Sequence, residues 1–242
     1  TAINTLDVPR RELIEVRLSD NMARAEAIAL SHQSMQLCNA GQSALLLLED
    51  ATGRGQALVQ DKQSTVLAQG QAVRAEQLEH NSFLLQSAAI AVKVSKGRIT
   101  SVYDRLADRE LIETGRTAGL AIAEDYPPQF DNWETELYSP DTTEGIPFTN
   151  VRIAEAGPWR ASLALEAKFG QSTVRMSIVL DALPATPLLG EKEARPLLRF
   201  DTQIDWWEKH RFLRFEVPTR LRSDSASFET QFGITKRPTT RN

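Results

Sequence analysis

The stretch from residue 125 to residue 148 combines acidic and aromatic side chains in a segment of irregular sequence. The acids are Asp125, Asp131, Glu134 and Glu136, with Glu124 just before them, and the aromatics are Tyr126, Phe130, Trp133 and Tyr138. Aromatic faces pack on the C–H faces of a sugar ring, and carboxylates accept hydrogen bonds from its hydroxyls. Two carboxyl groups about 5 Å apart can also perform retaining glycoside hydrolysis. The segment is therefore a candidate sugar site.

A structural role explains the same residues. Trp133 and Tyr138 would then anchor a long loop on the core, and the acids would be solvated. Long ordered loops are often functional, but the composition alone leaves both interpretations open.

Other catalytic patterns give weaker signals. The three histidines, His32, His80 and His210, stand at no metal-ligand spacing from each other or from Cys38. His210 follows Asp205 and Glu208, so a His–acid pair is conceivable, although a polar turn between two strands is favoured. There is no Gly-X-Ser-X-Gly motif and no glycine-rich phosphate loop.

The adjacent Trp206 and Trp207 would point to opposite faces of a strand. We expect one of them in the core and the other exposed or in an interface.

The elements that position these residues are predicted to be strands. Polar and apolar residues alternate with period two in at least five segments, within 12–19, 161–169, 198–206, 213–217 and 228–232. A hairpin is expected around Gly97, because Ile90, Val92 and Val94 precede it and Ile99 follows. Long helical patterns do not intervene, so we predict an all-β fold of antiparallel β-sandwiches. The segment 23–30 is read as either a short helix or a strand, and 183–196 as a loop.

Composition excludes several classes of protein. The net charge is -4 and no basic run is long enough to follow a phosphate backbone, which disfavours nucleic-acid binding. The longest apolar run, Ala44 to Leu48, is too short to span a bilayer, so no membrane partner is expected. A lone cysteine and no Asn-X-Ser/Thr sequon favour a cytoplasmic origin over a secreted one. The chain begins at Thr1 rather than Met, and we expect it to be part of a longer polypeptide.

Five segments together resemble glycoside hydrolase family 38, the α-mannosidases, in that family's order. They are residues 4–12, 98–111, 132–138, 205–218 and 228–242, the last two carrying the runs DWWEKHRFLRFEVP and FETQFG followed by RPTTRN. Two positions depart from the family pattern: Glu134 stands where Asp is usual, and Thr240 stands where many members have His. The resemblance is strongest to the cytosolic and vacuolar members.

This resemblance implies a fold, and the sequence itself indicates a division of the chain. The fold would be the β-rich region that follows the family's catalytic barrel, including a galactose-mutarotase-like supersandwich. Residues 1–80 would form a small sandwich or the first sheet of the supersandwich, and 81–242 the main sandwich, truncated at its C-terminus. The boundary signal is the polar stretch 69–81.

The resemblance also implies a function for the parent protein. It would hydrolyse terminal α-mannosides with retention, using a nucleophile and a divalent metal, zinc or cobalt, in a barrel outside this chain. This chain would then hold no catalytic residue and no cofactor, and would be inactive on its own. The location implied for the protein is the cytoplasm or the vacuole. The expected partners are the barrel, a mannosyl oligosaccharide and further copies in a homotetramer. The residues expected to rim the sugar site are Asp131, Trp133, Glu134, Glu136 and Tyr138.

Two other functions remain open. The chain could be a non-catalytic carbohydrate-binding or oligomerisation module. It could also be a self-contained enzyme of mutarotase type, although the sparse histidines argue against this function.

Overall fold

The computed structural model describes residues 2–3, 10–18, 35–51, 56–57, 72–130, 134–182 and 197–240. Within these ranges the chain is built from antiparallel strands and two short 3-10 helices, Asn39–Gly41 and Ser139–Thr142, and contains no α-helix. The strands, in chain order, are β1 (Ala2–Ile3), β2 (Arg10–Arg17), β3 (Met35–Cys38), β4 (Ser43–Ala51), β5 (Gln56–Ala57), β6 (Arg74–Glu79), β7 (Ser82–Gln86), β8 (Ile90–Ser95), β9 (Arg98–Asp104), β10 (Arg109–Glu110), β11 (Gly119–Glu124), β12 (Glu144–Gly145), β13 (Asn150–Ala156), β14 (Arg160–Phe169), β15 (Ser172–Asp181), β16 (Leu198–Asp205), β17 (Arg211–Glu216), β18 (Ser225–Thr230) and β19 (Gly233–Pro238). The all-β prediction is confirmed. No helix in the described ranges is long and apolar enough to cross a membrane.

Two sheets enclose the main core. One has the strand order β10-β9-β8-β7-β6 and the other the order β13-β14-β15-β16. Their inward residues are fully buried and come from alternate positions, such as Val92 and Val94 on β8 and Ile178 and Leu180 on β15. Period-two alternation places one face of each strand on the core and leaves the other face to solvent. The predicted sandwich is therefore what the alternation produces.

A third sheet, with the order β12-β11-β17, lies beside the first. Strand β11 is buried along five of its six residues, and a bridge between Ile99 and Ala118 links the segment before it to β9. Phe200 on β16 meets Phe215 on β17 with ring centroids 5.0 Å apart. This contact joins the third sheet to the sandwich.

The hairpin predicted around Gly97 is confirmed, since β8 and β9 pair antiparallel across it. Gly97 has φ 71, and a Cβ there would lie 2.7 Å from the backbone nitrogen of Phe148. Only glycine fits this turn without moving the neighbouring loop.

A sheet of order β2-β4-β3 is attached to one end of the sandwich. Its attachment is partly apolar, through Cys38 and Leu45 packed on Trp159. It is also polar, because Arg160 on β14 pairs with Glu15 on β2. The N-terminal sheet and the sandwich therefore share a buried joint.

The division of the chain near residue 80 stays a prediction. Strands β6 and β7 pair with each other across that point, in the same five-stranded sheet. This pairing favours a boundary before Arg74. The segments 23–30 and 183–196, for which a helix or strand and a loop were predicted, lie outside the described residues.

Candidate functional site

The acid- and aromatic-rich loop connects β11 to β13 and is fixed near its middle by the helix Ser139–Thr142. The hydroxyl of Ser139 is buried and donates to the carbonyl of Glu124 at 2.6 Å. The backbone N–H of Glu124 donates in turn to Thr142 Oγ1 at 2.9 Å. Two small hydroxyl residues thus tie the loop to the end of β11.

Three of the five predicted rim residues lie in the described part of this loop. Glu134 is exposed, and its backbone N–H donates to the carbonyl of Phe130 at 3.2 Å. Glu136 is half-buried, and its carbonyl accepts from the N–H of Ser139 at 3.0 Å. Tyr138 keeps 41% of its surface exposed. Its ring is therefore not buried in the core as an anchor would be. Within the described part of the loop, the hydroxyls of Ser139 and Thr142 supply anchoring contacts.

The other two predicted rim residues, Asp131 and Trp133, lie outside the described residues. The rim role of all five stays a prediction.

The structure brings a histidine from a distant segment to this loop. His210 stands in the turn between β16 and β17 with φ 54, and its ring stacks on Tyr126 at 4.6 Å with an interplanar angle of 11°. Its carbonyl accepts a hydrogen bond from the N–H of Asp125 at 3.1 Å. The prediction of a polar turn is confirmed. The stack on Tyr126 was not anticipated, because it depends on the non-local pairing of Glu124 with Arg211 between β11 and β17.

The carboxylate of Glu208 is used elsewhere and does not form the conceivable pair with His210. It accepts from the N–H of Gln171 at 2.8 Å and from the hydroxyl of Ser172 at 3.0 Å. Ser172 Oγ also accepts from the N–H of Trp207 at 2.8 Å. These bonds tie the β16–β17 turn to the β14–β15 turn, so they position His210 indirectly.

The two tryptophans of this turn behave as expected. Trp206 packs against the main core, parallel to Phe169 with ring centroids 6.3 Å apart. Trp207 is 67% exposed, and its Nε1 donates to Asp205 at 2.8 Å. The prediction of one core and one exposed tryptophan is confirmed.

Acidic groups lie near the phenol of Tyr138. Partial desolvation raises the pKa of Tyr138, and the negative charges of Glu124 and Glu136 raise it further. Arg211 Nη1 approaches Glu124 Oε1 to 3.9 Å and offsets part of that charge. The phenol therefore stays protonated at neutral pH and is able to donate a hydrogen bond.

Taken together, these residues form a surface that we call the acid–aromatic cluster: Glu124, Asp125, Tyr126, Glu136, Tyr138 and His210. Tyr126 is 52% exposed, so part of its ring faces solvent. The cluster offers aromatic surface, carboxylate acceptors and a phenol donor, which are the groups that hold a polyhydroxylated ligand. No three His, Cys, Asp or Glu side chains in the described ranges are placed to hold a metal ion.

Comparison with known proteins gives a consistent picture. Residues 85–242 match the model of the glycosyl hydrolases family 38 C-terminal domain. Over 163 residues the chain is 29% identical to alpha-mannosidase 2C1 of Homo sapiens. The aligned region covers 65% of this chain and 15% of that protein. It is 31% identical over 150 residues to the alpha-mannosidase of Saccharomyces cerevisiae, covering 59% of this chain and 14% of that protein.

A solved structure shows the same fold. The crystal structure of an alpha-mannosidase from Enterococcus faecalis superposes with a TM-score of 0.54 at 12% identity, over 98% of this chain and 33% of that chain. The chain thus spans about 15% of the length of the curated relatives that it matches.

Proposed function

The chain belongs to glycosyl hydrolase family 38, and from that membership we propose that it is the C-terminal β-sandwich region of an α-mannosidase. The observation that carries this proposal is the match of residues 85–242 to the family's C-terminal domain. The relatives that the chain resembles are alpha-mannosidases much longer than itself. The parent would hydrolyse terminal α-mannosides with retention, through a glycosyl-enzyme intermediate.

The catalytic groups of the parent would lie in its barrel, outside this chain. The resemblance implies that the barrel provides the nucleophilic carboxylate and binds a divalent metal, zinc or cobalt. A bound divalent ion in such a site polarises substrate oxygens and orients the sugar. The contribution of this chain is then to support the barrel and to present side chains at its rim.

The acid–aromatic cluster is the part of this chain that suits the rim role. Its aromatic rings are exposed rather than fully packed in the core, and its hydroxyl and carboxylate groups stand beside them. Such a surface makes contacts to sugar hydroxyls and ring faces without providing a nucleophile. In this role Glu134, Glu136 and Tyr138, with Asp131 and Trp133, would contact the mannosyl oligosaccharide.

The cysteine and the glycosylation sequons of the chain bear on the cellular location of the parent. The lone cysteine is buried at the joint between the N-terminal sheet and the sandwich. Its presence as a free thiol, together with the absence of glycosylation sequons, supports a cytoplasmic or vacuolar parent.

An oligomerisation role is the second candidate, and a specific surface favours it. The β18–β19 hairpin and the segment before it expose several large apolar side chains, namely Val217, Leu221, Phe228, Phe232 and Ile234. Phe228 and Ile234 lie on opposite faces of the hairpin, so both faces expose an apolar side chain. A homotetrameric parent would bury some of these side chains between copies.

A direct assay tests the placement of the catalytic groups. The 242-residue chain should release no mannose from a chromogenic α-mannoside, with or without added zinc or cobalt, whereas the full-length parent should do so. Turnover by the purified chain would contradict the placement of the catalytic groups in the barrel. Failure of the full-length parent on all α-mannosides would overturn the assignment to a mannosidase.

A further inference from the structure

A groove of about 540 Å³ lies on the outer face of the four-stranded sheet β13-β14-β15-β16. This volume is within the range of about 300–1,000 Å³ found for small-molecule sites. The groove faces away from the core, because the inward side chains of the same strands, such as Leu163 and Ile178, are completely buried between the sheets. Its exposed surface comes mainly from the outward residues, and Leu165, Met176 and Thr202, whose neighbours in sequence point outward, complete the lining.

One row of paired residues runs directly across the groove. Arg152 on β13 pairs with Ala164 on β14, Ala164 pairs with Ser177 on β15, and Ser177 pairs with Asp201 on β16. In this row the two central strands carry the small side chains, and the two outer strands carry the charged ones. Since neighbouring strands are about 4.8 Å apart, this row spans roughly 14 Å. The small residues create the depression and the charged residues form its two walls.

A second row, two residues further along each strand, also lines the groove. Asn150 pairs with Glu166, Glu166 with Arg175, and Arg175 with Gln203. Arg175 Nε and Glu166 Oε2 are 3.1 Å apart, so this pair holds its own side chains in place. The amides of Asn150 and Gln203 each offer both a donor and an acceptor.

The charges of the groove are balanced. Among the residues that line the groove, Arg152 and Arg175 supply two positive charges, and Glu166 and Asp201 supply two negative ones. Both carboxylates are already paired, Glu166 with Arg175 at 3.1 Å and Asp201 with Arg199 at 3.0 Å. An anionic ligand would meet a carboxylate on one side, and a cationic ligand would meet a guanidinium. A neutral ligand with many hydroxyl groups meets no such repulsion, because each hydroxyl both donates to a carboxylate and accepts from an arginine or amide.

We propose that this outer-face groove binds a neutral oligosaccharide, with Arg152 and Asp201 bonding to hydroxyls on opposite sides and Ala164 and Ser177 forming the floor. The apolar β-carbon of Ala164 gives the C–H face of a sugar ring a contact that a larger polar residue would block. The role that we assign to the groove is binding. The use of a mannosyl probe rests on the proposed function, but the binding itself does not.

The test is a titration of the isotopically labelled 242-residue chain followed by amide chemical shifts. The probes are α-linked mannotriose, maltotriose as a second neutral sugar, and a sulfated heparin tetrasaccharide as an anionic one. We expect saturable shifts at millimolar sugar centred on the amides of Ala164, Ser177 and Thr202 with a neutral trisaccharide. The sulfated probe should produce weaker shifts there.

Three variants keep this test falsifiable. Ala164→Trp fills the floor and should weaken binding at least tenfold, whereas Lys168→Trp, on the same face of β14 but outside the groove, should leave it unchanged. Arg152→Ala removes one wall and should weaken binding several-fold. Far-ultraviolet circular dichroism checks that each variant keeps the fold.

Several results would overturn the proposal. The first is an absence of shifts in the groove with both neutral sugars. The second is an Ala164→Trp variant that binds like the wild type, and the third is binding of the sulfated probe alone. Groove shifts that appear on concentrating the protein without sugar would identify a second copy of the chain as the occupant. A parent without mannosidase activity whose groove still binds a neutral trisaccharide would contradict the proposed function and leave this inference standing.

Discussion

Glu15 on β2 and Arg160 on β14 form an ion pair of 2.9 Å between residues 145 positions apart in the chain. The same guanidinium donates to Asp181 at 2.6 Å, and Arg160 is only 7% exposed. Burial by itself would lower the pKa of Arg160, but the hydrogen bond and charge of Asp181 raise it overall. A charge held in this way joins three strands, and it makes the joint between the N-terminal sheet and the sandwich sensitive to substitution.

The first prediction concerns Gln36, which completes this joint. Its Oε1 accepts from the N–H groups of Trp159 and Arg160 at 2.8 and 2.9 Å, and its Nε2 donates to the carbonyl of Arg160 at 2.8 Å. Gln36→Ala leaves these buried backbone groups without partners, so we expect a loss of about 3 kcal/mol in the free energy of unfolding, measured by urea denaturation.

Gln77→Ala is the matched control for that variant. The Gln77 side chain is exposed and makes one long bond of 3.3 Å to the carbonyl of Glu79. Its substitution should change the free energy of unfolding by less than about 0.5 kcal/mol. Equal losses for the two variants would show that the Gln36 bonds do not hold the joint.

The sequence predicted the strands more fully than it predicted this joint. Alternation in segments such as 161–169 reports which side of a strand is buried, and the glycine at position 97 marks a turn, so the sandwich could be inferred locally. Gln36, Glu15 and Arg160 carry no local signal, because their contacts depend on residues more than 120 positions away. The same limit explains why the sequence does not predict the stack of His210 on Tyr126, whereas the composition of the loop that holds Tyr126 marks it as a candidate site.

The second prediction concerns Gly170, in the turn that Glu208 caps. Gly170 has φ +56, and a Cβ there would lie 2.7 Å from the carboxyl carbon of Glu208. Gly170→Ala should cost about 1 kcal/mol for the left-handed backbone, plus a further cost for displacing the Glu208 carboxylate from Gln171 and Ser172.

A second glycine separates these two costs. Gly115 has φ +77 and open space around a Cβ, so Gly115→Ala should show the backbone cost alone. In a Glu208→Ala background the cost of Gly170→Ala should fall to that of Gly115→Ala. If Gly170→Ala is no more destabilising than Gly115→Ala in the wild-type background, the carboxylate moves freely and does not fix the turn.

The third prediction is a pH dependence that arises from Glu110. Partial burial opposes ionisation of Glu110, but hydrogen bonds from the Ser101 hydroxyl and from the N–H groups of Ile112 and Val102 outweigh it and lower the pKa of the carboxyl. A lowered folded-state pKa stabilises the fold at pH values above the unfolded pKa of about 4.3, and this contribution disappears as pH falls through the folded value.

Urea denaturation at several pH values measures this contribution. Glu110→Gln should be less stable than the wild type at pH 7, and the difference should shrink as the pH falls below about 4. Glu113→Gln, at an exposed position three residues away, serves as the control and should show no such trend. A difference between Glu110→Gln and wild type that is constant across pH would mean that the charge of Glu110 contributes nothing.

The last prediction tests whether the acid–aromatic cluster touches the substrate in the full-length parent. Tyr138→Phe removes the phenol that lies near Glu124 and Glu136, and Tyr126→Ala removes the ring that stacks on His210. If these groups bind the sugar outside the reacting bond, each change should raise KM about fivefold, equivalent to about 1 kcal/mol, with kcat nearly unchanged. Tyr103→Phe is the matched control, because this phenol donates to Asp108 in the turn between β9 and β10, in a different sheet from the cluster. Unchanged KM and kcat in both cluster variants would assign the cluster to holding the loop in place and remove it from the sugar site.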